Sequence, residues 1–186
     1  MSKKLSEMSL EELWRLFPIR LTAYQPAWKV CYEEEAAFLQ GVLPRETKIH
    51  HVGSTAIGSI WAKPIVDILV EIPQTSDSSA YKELLIHSGY LCMSEGERAC
   101  SFNKGYTEEG FAEKVFHLHL RFAGDNDELY FRDYLIEHPL VAKEYEALKL
   151  RLWKEFEYDR DGYTNAKTEF VRKHTENAKR AYGKRY

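Results

Sequence analysis

The sequence predicts a mixed α/β (α+β) domain: a small mixed sheet flanked by helices, with a helical C-terminal part. Three observations carry this. Residues 64–72 hold the clearest strand signal, with Ile65, Val66, Ile68, Leu69, Val70 and Ile72 making it apolar on both faces, as in a central strand. Helical patterns precede a strand-rich middle, and helices return after Gly124. The 186 residues suit one substantial core and are too few for two comfortable ones.

The elements follow in order. Ser9-Leu10-Glu11-Glu12 reads as a capping box opening a helix that carries Leu13, Trp14, Leu16 and Phe17 and stops at Pro18. Residues 1–19 are therefore expected to form an N-terminal helical extension of a single domain spanning 1–186. Residues 27–39 place Trp28, Cys31, Phe38 and Leu39 on one helical face, and Gly41 is expected to end that helix. A short strand is predicted over Lys48–Val52, then the turn Gly53-Ser54-Thr55 and a helical or irregular segment to Ala62. Pro73 closes the central strand, and residues 79–87 form a helix ending at Gly89. Strands are expected at 90–93, 99–104 and 115–122, the first two paired across a turn. Helices follow at 129–137 and 139–156, Pro139 suiting a first turn. Thr164 is expected to cap the last helix and Gly183 to end it.

Charge narrows the partners. The net charge is −3, without the basic excess of a nucleic-acid binder, so no nucleic acid is expected. From Gly162 onward, seven Lys/Arg oppose Glu169 and Glu176. That basic end is either a solvated helix face or a positive rim for a phosphorylated ligand. Cys31, Cys92 and Cys100 show no C-x-x-C spacing and read as reduced thiols. Lys3-Lys4 is followed by polar residues rather than an apolar run, and no stretch reaches membrane-spanning length, so a cytoplasmic location is expected and no membrane partner.

Three constellations could carry chemistry. A strand ending in Gly53-Ser54-Thr55 lets backbone N–H groups approach a phosphate, and Asp67 on the next strand could hold a cation against it. The plain alternative is a tight turn. His117 and His119, two apart on a strand, share a face. Lys63, Arg132, Lys149 and Lys167 form a cationic set; Lys63 and Lys167 are candidate phosphate contacts, and Arg132 is either another or the partner of adjacent Asp133. Tyr106, Phe111, Phe116 and Phe122 read as core around the histidine strand.

His51-Val52-Gly53-Ser54-Thr55, followed by Ala62-Lys63-Pro64-Ile65-Val66-Asp67-Ile68, resembles the signature segment of the GrpB family. Tyr24-Gln25-Pro26-Ala27-Trp28, His117-Leu118-His119, Phe131-Arg132-Asp133-Tyr134-Leu135, His138-Pro139, Glu144-Tyr145, Leu148-Lys149, Tyr163 and Ala166-Lys167 follow in that family's order over roughly residues 20–180. The resemblance implies a nucleotidyltransferase-like fold, in which a Gly-Ser turn precedes a strand bearing two acids at i and i+2. Here the second position is Leu69, and Glu71 lies about 13 Å along the strand from Asp67. The two-carboxylate metal clamp is thus incomplete. If the 115–122 strand takes the place of the superfamily's third acid, Asp67, His117 and His119 would converge as ligands of a divalent metal (Mg, Mn or Zn) or as catalytic groups.

The expected function is binding of a nucleotide or phosphorylated small molecule, with transfer of a nucleotidyl group to an acceptor. Gly53, Ser54 and Thr55 would cradle phosphate. Two alternatives stay open: a non-catalytic binding module on a degenerate transferase scaffold, and a metal-dependent hydrolase with a His-His-Asp site. The family domain also occurs fused to dephospho-coenzyme A kinase, which ties it to coenzyme A metabolism by association only. On this reading Lys167 faces the Gly53–Asp67 cleft, Lys179 to Arg185 stay in solvent, a histidine ring nitrogen reaches Asp67, and Asp67→Ala loses ligand while keeping the fold.

Overall fold

Strand β2 (Val66–Ile72) lies inside the sheet with six of its seven residues buried, one face wholly apolar and the other bearing Asp67 and Glu71 about Leu69. The computed structural model describes residues 3–186. β2 pairs antiparallel with β1 (Lys48–Val52) on one side and parallel with β5 (Gly110–Phe122) on the other. β4 (Ala99–Thr107) and β3 (Leu91–Glu95) continue the mixed sheet antiparallel, giving the order β1-β2-β5-β4-β3. The adjacency of Lys48–Val52 and the central strand is as the sequence led us to expect.

Period-two alternation gives the sheet two different faces. Val66, Ile68, Val70 and Ile72 lie on one, with Phe116, Leu118, Leu120 and Phe122 of β5. Helix α2 (Ala27–Val42) covers them with Trp28 and Leu39, and α3 (Ser78–His87) with Tyr81 and Leu85. Each such side chain contributes about 1.5–3 kcal/mol by leaving water, so this face anchors the fold. The opposite face carries Asp67, Leu69 and Glu71 beside His117, His119 and Arg121 in register. Over it lie α4 (Asp127–Glu137), α5 (Pro139–Glu155), α6 (Arg160–Asn165) and α7 (Thr168–Tyr182). Val52, Leu69 and Leu129 pack together there. Phe131, Leu135, Ala142 and Tyr145 form a second cluster with Ile57 and Ile60. The helical C-terminal part is therefore the roof of the chemically richer face. At the N-terminal end, α1 (Leu10–Leu16) is closed by the Ser9/Glu12 capping box. Ile19 N–H then donates to the Glu157 carbonyl, stitching this segment onto the body.

Several boundaries differ from the sequence reading, each for a local reason. Gly41 lies inside α2, which runs to Val42; helical glycine costs about 1 kcal/mol against alanine but does not by itself stop a helix. The β4–β5 hairpin extends to Thr107 and Gly110, beyond the expected 104 and 115. Gly105, at φ 88°, sits in a bulge between Lys104 and Tyr106 and interrupts the strand pattern. Thr164 does not cap the last helix: Asp159 caps α6 by accepting from Gly162 N–H, Thr164 lies within it, and α7 starts after Lys167. Gly183 ends α7 at φ 58°, as expected. Among the described residues no helix is long and apolar enough to cross a membrane.

Candidate functional site

β1 ends at Val52, directly opposite Asp67 near the start of β2. Gly53 then turns the chain at φ 69° and ψ −171°, a conformation almost confined to glycine. A Cβ at Gly53 would lie 2.8 Å from Asp67 Cγ and 2.9 Å from its Cβ, and closer still to Oδ2. The turn thus lays bare backbone against the Asp67 carboxylate. One 3-10 turn follows, Ser54–Ala56. Thr55 is buried, its Oγ1 3.0 Å from His51 Nε2. His51 stacks on Tyr32, and burial lowers its pKa to about 4, so it serves the turn as a neutral ring.

The parallel register of β2 and β5 sets Asp67 beside His117. Asp67 Oδ1 lies 3.4 Å from His117 Nδ1 and 3.9 Å from His119 Nε2, so the expected convergence of strand neighbours is present. Burial disfavours the Asp67 anion, but the His117 and His119 imidazoles facing it outweigh this and hold the carboxyl below its usual range. His117 Nε2 lies 2.7 Å from Tyr106 Oη, which in turn accepts a hydrogen bond from Arg160 at 2.8 Å. Because the guanidinium only donates, the Tyr106 hydrogen is left for His117 Nε2. His117 is therefore a neutral ring with its proton on Nδ1, facing Asp67. Burial, the largest influence, lowers its pKa, with Asp67 opposing. His119 differs: its Nδ1 is buried without a partner.

Cations surround this acid. Lys149 of α5 is only 2% exposed; its ammonium donates to Ser54 Oγ at 3.1 Å and to the Trp61 carbonyl. Lys63 and Lys167 place their ammoniums over the Tyr163 ring, 5.3 and 4.2 Å from its centroid. Burial pushes Lys63 and Lys149 down to about 7 and Lys167 to about 8, and repulsion among these cations and Arg160 adds to the effect. These groups line one cavity of about 610 Å³ between the sheet and the C-terminal helices, shared with Gly53, Ser54, Thr55, Asp67, His117 and His119.

Arg132 is the predicted residue that lies elsewhere. It does not line the cavity; it pairs with Asp133 and donates to the His51 carbonyl at 2.9 Å. The structural pairing seen in the sequence is the one realised. Of the basic C-terminal residues, Lys167 reaches the cleft, whereas Lys179 pairs with Asp127 and Arg185 with Glu137, so these two are only partly solvated. Sequence reasoning missed Arg160, which no motif marks. It also read Tyr106 as core, when its ring packs on Phe17 and its hydroxyl orients His117.

A divalent ion, which the fold implies, fits this donor set poorly. Leu69 replaces the second acid and is fully buried, and Glu71 is taken up by His50, Gly124 N–H and Asn126. Among the described residues no group of three or more His, Cys, Asp or Glu is placed to hold a metal ion.

The mixed five-stranded sheet, with a Gly-Ser turn over a strand aspartate, has a nucleotidyltransferase-like fold. The Cid1 poly(U) polymerase bound to magnesium and 3'-dATP superposes with a TM-score of 0.53 at 11% identity, covering 84% of this chain and 51% of that one, a likeness of fold. The GrpB protein family matches residues 18–177, and the chain belongs to it. It is 37% identical over 160 residues to the glutamate-rich protein GrpB of Alkalihalophilus pseudofirmus, covering 81% of this chain and 90% of that protein. It is 33% identical over 184 residues to the UPF0157 protein YqkA of Bacillus subtilis, covering 95% of this chain but 53% of YqkA, so it spans about half that relative's length. The crystal structure of GrpB from Enterococcus faecalis superposes with a TM-score of 0.76 at 29% identity, over 88% of this chain and 99% of that one.

Proposed function

We propose that the cleft binds a nucleotide or another phosphorylated small molecule and transfers a nucleotidyl group from it to an acceptor. The observation that carries the binding is the crowding of Lys63, Lys149, Lys167 and Arg160 into one cavity beside Asp67, with Asp125, Asp127, Glu128 and Asp161 also on its lining. A bound phosphate relieves both the desolvation and the mutual repulsion that depress the lysines. Gly53 gives close backbone approach, and Ser54 Oγ is already fixed by Lys149.

In the transfer step, an acceptor hydroxyl oxygen bonds to the nucleotide's α-phosphorus as the bond to the diphosphate leaving group breaks. The acceptor proton passes to a base. His119 is the better base, because its Nδ1 has no partner, whereas both nitrogens of His117 face Asp67 and Tyr106. The lysines stabilise the charge that grows on the leaving diphosphate. Leu69 favours a second reading, binding without chemistry, since the superfamily's second acid is replaced by core.

A thermal-shift screen of nucleotides, dephospho-coenzyme A, coenzyme A and sugar phosphates tests the binding. Stabilisation by a subset is expected, and diphosphate release with an added acceptor would establish transfer. If no phosphorylated compound shifts the transition, the reading fails; stabilisation without turnover supports the binding module.

A further inference from the structure

We propose that the cleft takes a diphosphate- or triphosphate-bearing ligand as the metal-free anion, with Lys63, Lys149, Lys167 and Arg160 standing where divalent cations stand in two-carboxylate sites. This rests on the phosphate-binding reading above and names its ligand class.

The donors argue first. A metal clamp needs carboxylates that can turn toward the ion. The i+2 position is Leu69, locked between Val52 and Leu129, and no rotation there brings an acid into the cleft. Asp67 Oδ1 faces His117 and His119, and Oδ2 lies where a side chain at Gly53 would fall. Asp67 is therefore a partner of imidazoles. The cations argue second. Lys63 is repelled by Lys167, Arg160 and Lys149 together, so a divalent ion would add charge of the same sign to a group already over-supplied with it.

Placement then sets the ligand class. Lys63, Lys149, Lys167 and Arg160 gather about Asp67, while Asp125, Asp127, Glu128 and Asp161 also line the cavity, so the spacing of the ammoniums rather than a net charge distinguishes the ligands. A monophosphate offers one phosphoryl group, whereas a diphosphate or triphosphate offers two or more. The ammoniums sit in two groups, Lys149 beside Ser54, and Lys63 with Lys167 over Tyr163, so one phosphate can meet each group. Tyr163 adds an independent sign of a missing polar partner. It is 1% exposed, lines the cavity, and its buried hydroxyl makes no hydrogen bond. Binding should also draw protons onto the lysines, whose depressed basicity leaves them partly neutral in the free protein above pH 7.

Calorimetric titration of the full chain with pyrophosphate, ADP and AMP, in EDTA and then in excess magnesium, tests this. Pyrophosphate and ADP are expected to bind in EDTA at least tenfold more tightly than AMP, and magnesium to weaken them by sequestering the free anion. Heats in buffers of different ionisation enthalpy at pH 8 should reveal net proton uptake. Lys149→Met and the more exposed Lys167→Gln should each lose tenfold or more; if Lys149→Met unfolds, Lys167→Gln decides. Binding that needs magnesium and is lost in Asp67→Asn would overturn the metal-free site while leaving the phosphate reading intact. AMP binding as tightly as ADP would overturn the ligand class. No binding of any probe under either condition would remove both proposals.

Discussion

Replacing Gly53 with alanine places a methyl group where the cleft is tightest. At φ 69° and ψ −171° a side chain costs of order 1–3 kcal/mol in backbone strain alone. The new Cβ would also sit 2.8 and 2.9 Å from Asp67 Cγ and Cβ, closer than real Cβ atoms come to their neighbours. Asp67 cannot swing away freely, because it is held in β2 and faces both histidines. Relieving such an overlap typically costs a further ~1–3 kcal/mol. Gly53→Ala is therefore expected to lose roughly 2–6 kcal/mol, a large part of a typical 5–15 kcal/mol folding stability. Guanidinium unfolding measures this directly, and pyrophosphate titration of the folded fraction should show weakened affinity as Ser54 shifts. A loss under about 1 kcal/mol with unchanged affinity would refute the claim that the turn is built around the aspartate.

Other expectations follow from the same geometry. Lys149 holds fewer protons folded, with its pKa near 7, than unfolded, near 10.5, so folding stability should rise with pH across that window. Lys149→Met should abolish its share of the rise, on the order of 2 kcal/mol between pH 7 and 9; parallel pH profiles for the two proteins would argue against a desolvated ammonium. Glu71→Ala removes the acceptor of Gly124 N–H, Asn126 and His50, and should cost about 2–4 kcal/mol while leaving pyrophosphate affinity unchanged; a loss of affinity at retained fold would reassign Glu71 to the site. Nitrogen-15 NMR should find His117 protonated on Nδ1 and this preference weakened in Tyr106→Phe; a proton on Nε2 in the parent protein would break the proposed chain from Arg160 to Asp67.

Much of this was legible in the sequence, because the signals are local. The apolar run at β2, the capping box at Ser9 and the Gly183 stop depend on neighbours a few residues away. The pairing of Asp67 with His117 was reachable because strand alternation fixes a face and the family order placed β5 beside β2. What stayed hidden depends on long-range placement. Arg160 reaches Tyr106 across 54 residues, and Lys149 reaches Ser54 across 95, contacts that no spacing rule encodes. Arg132 shows the converse: a basic residue in a family motif spent on Asp133 and a backbone carbonyl. The break between α6 and α7 was missed because Thr164 is as plausible a cap as Asp159, and only packing chose between them.

The assignment of the cleft to phosphate is tested most directly by a crystal structure of the protein with saturating pyrophosphate. Phosphate density is expected between Ser54 and the ammoniums of Lys63, Lys149 and Lys167, with the Tyr163 hydroxyl within hydrogen-bonding distance of it. Density only outside this cavity, or an empty cleft at saturation, would contradict the assignment.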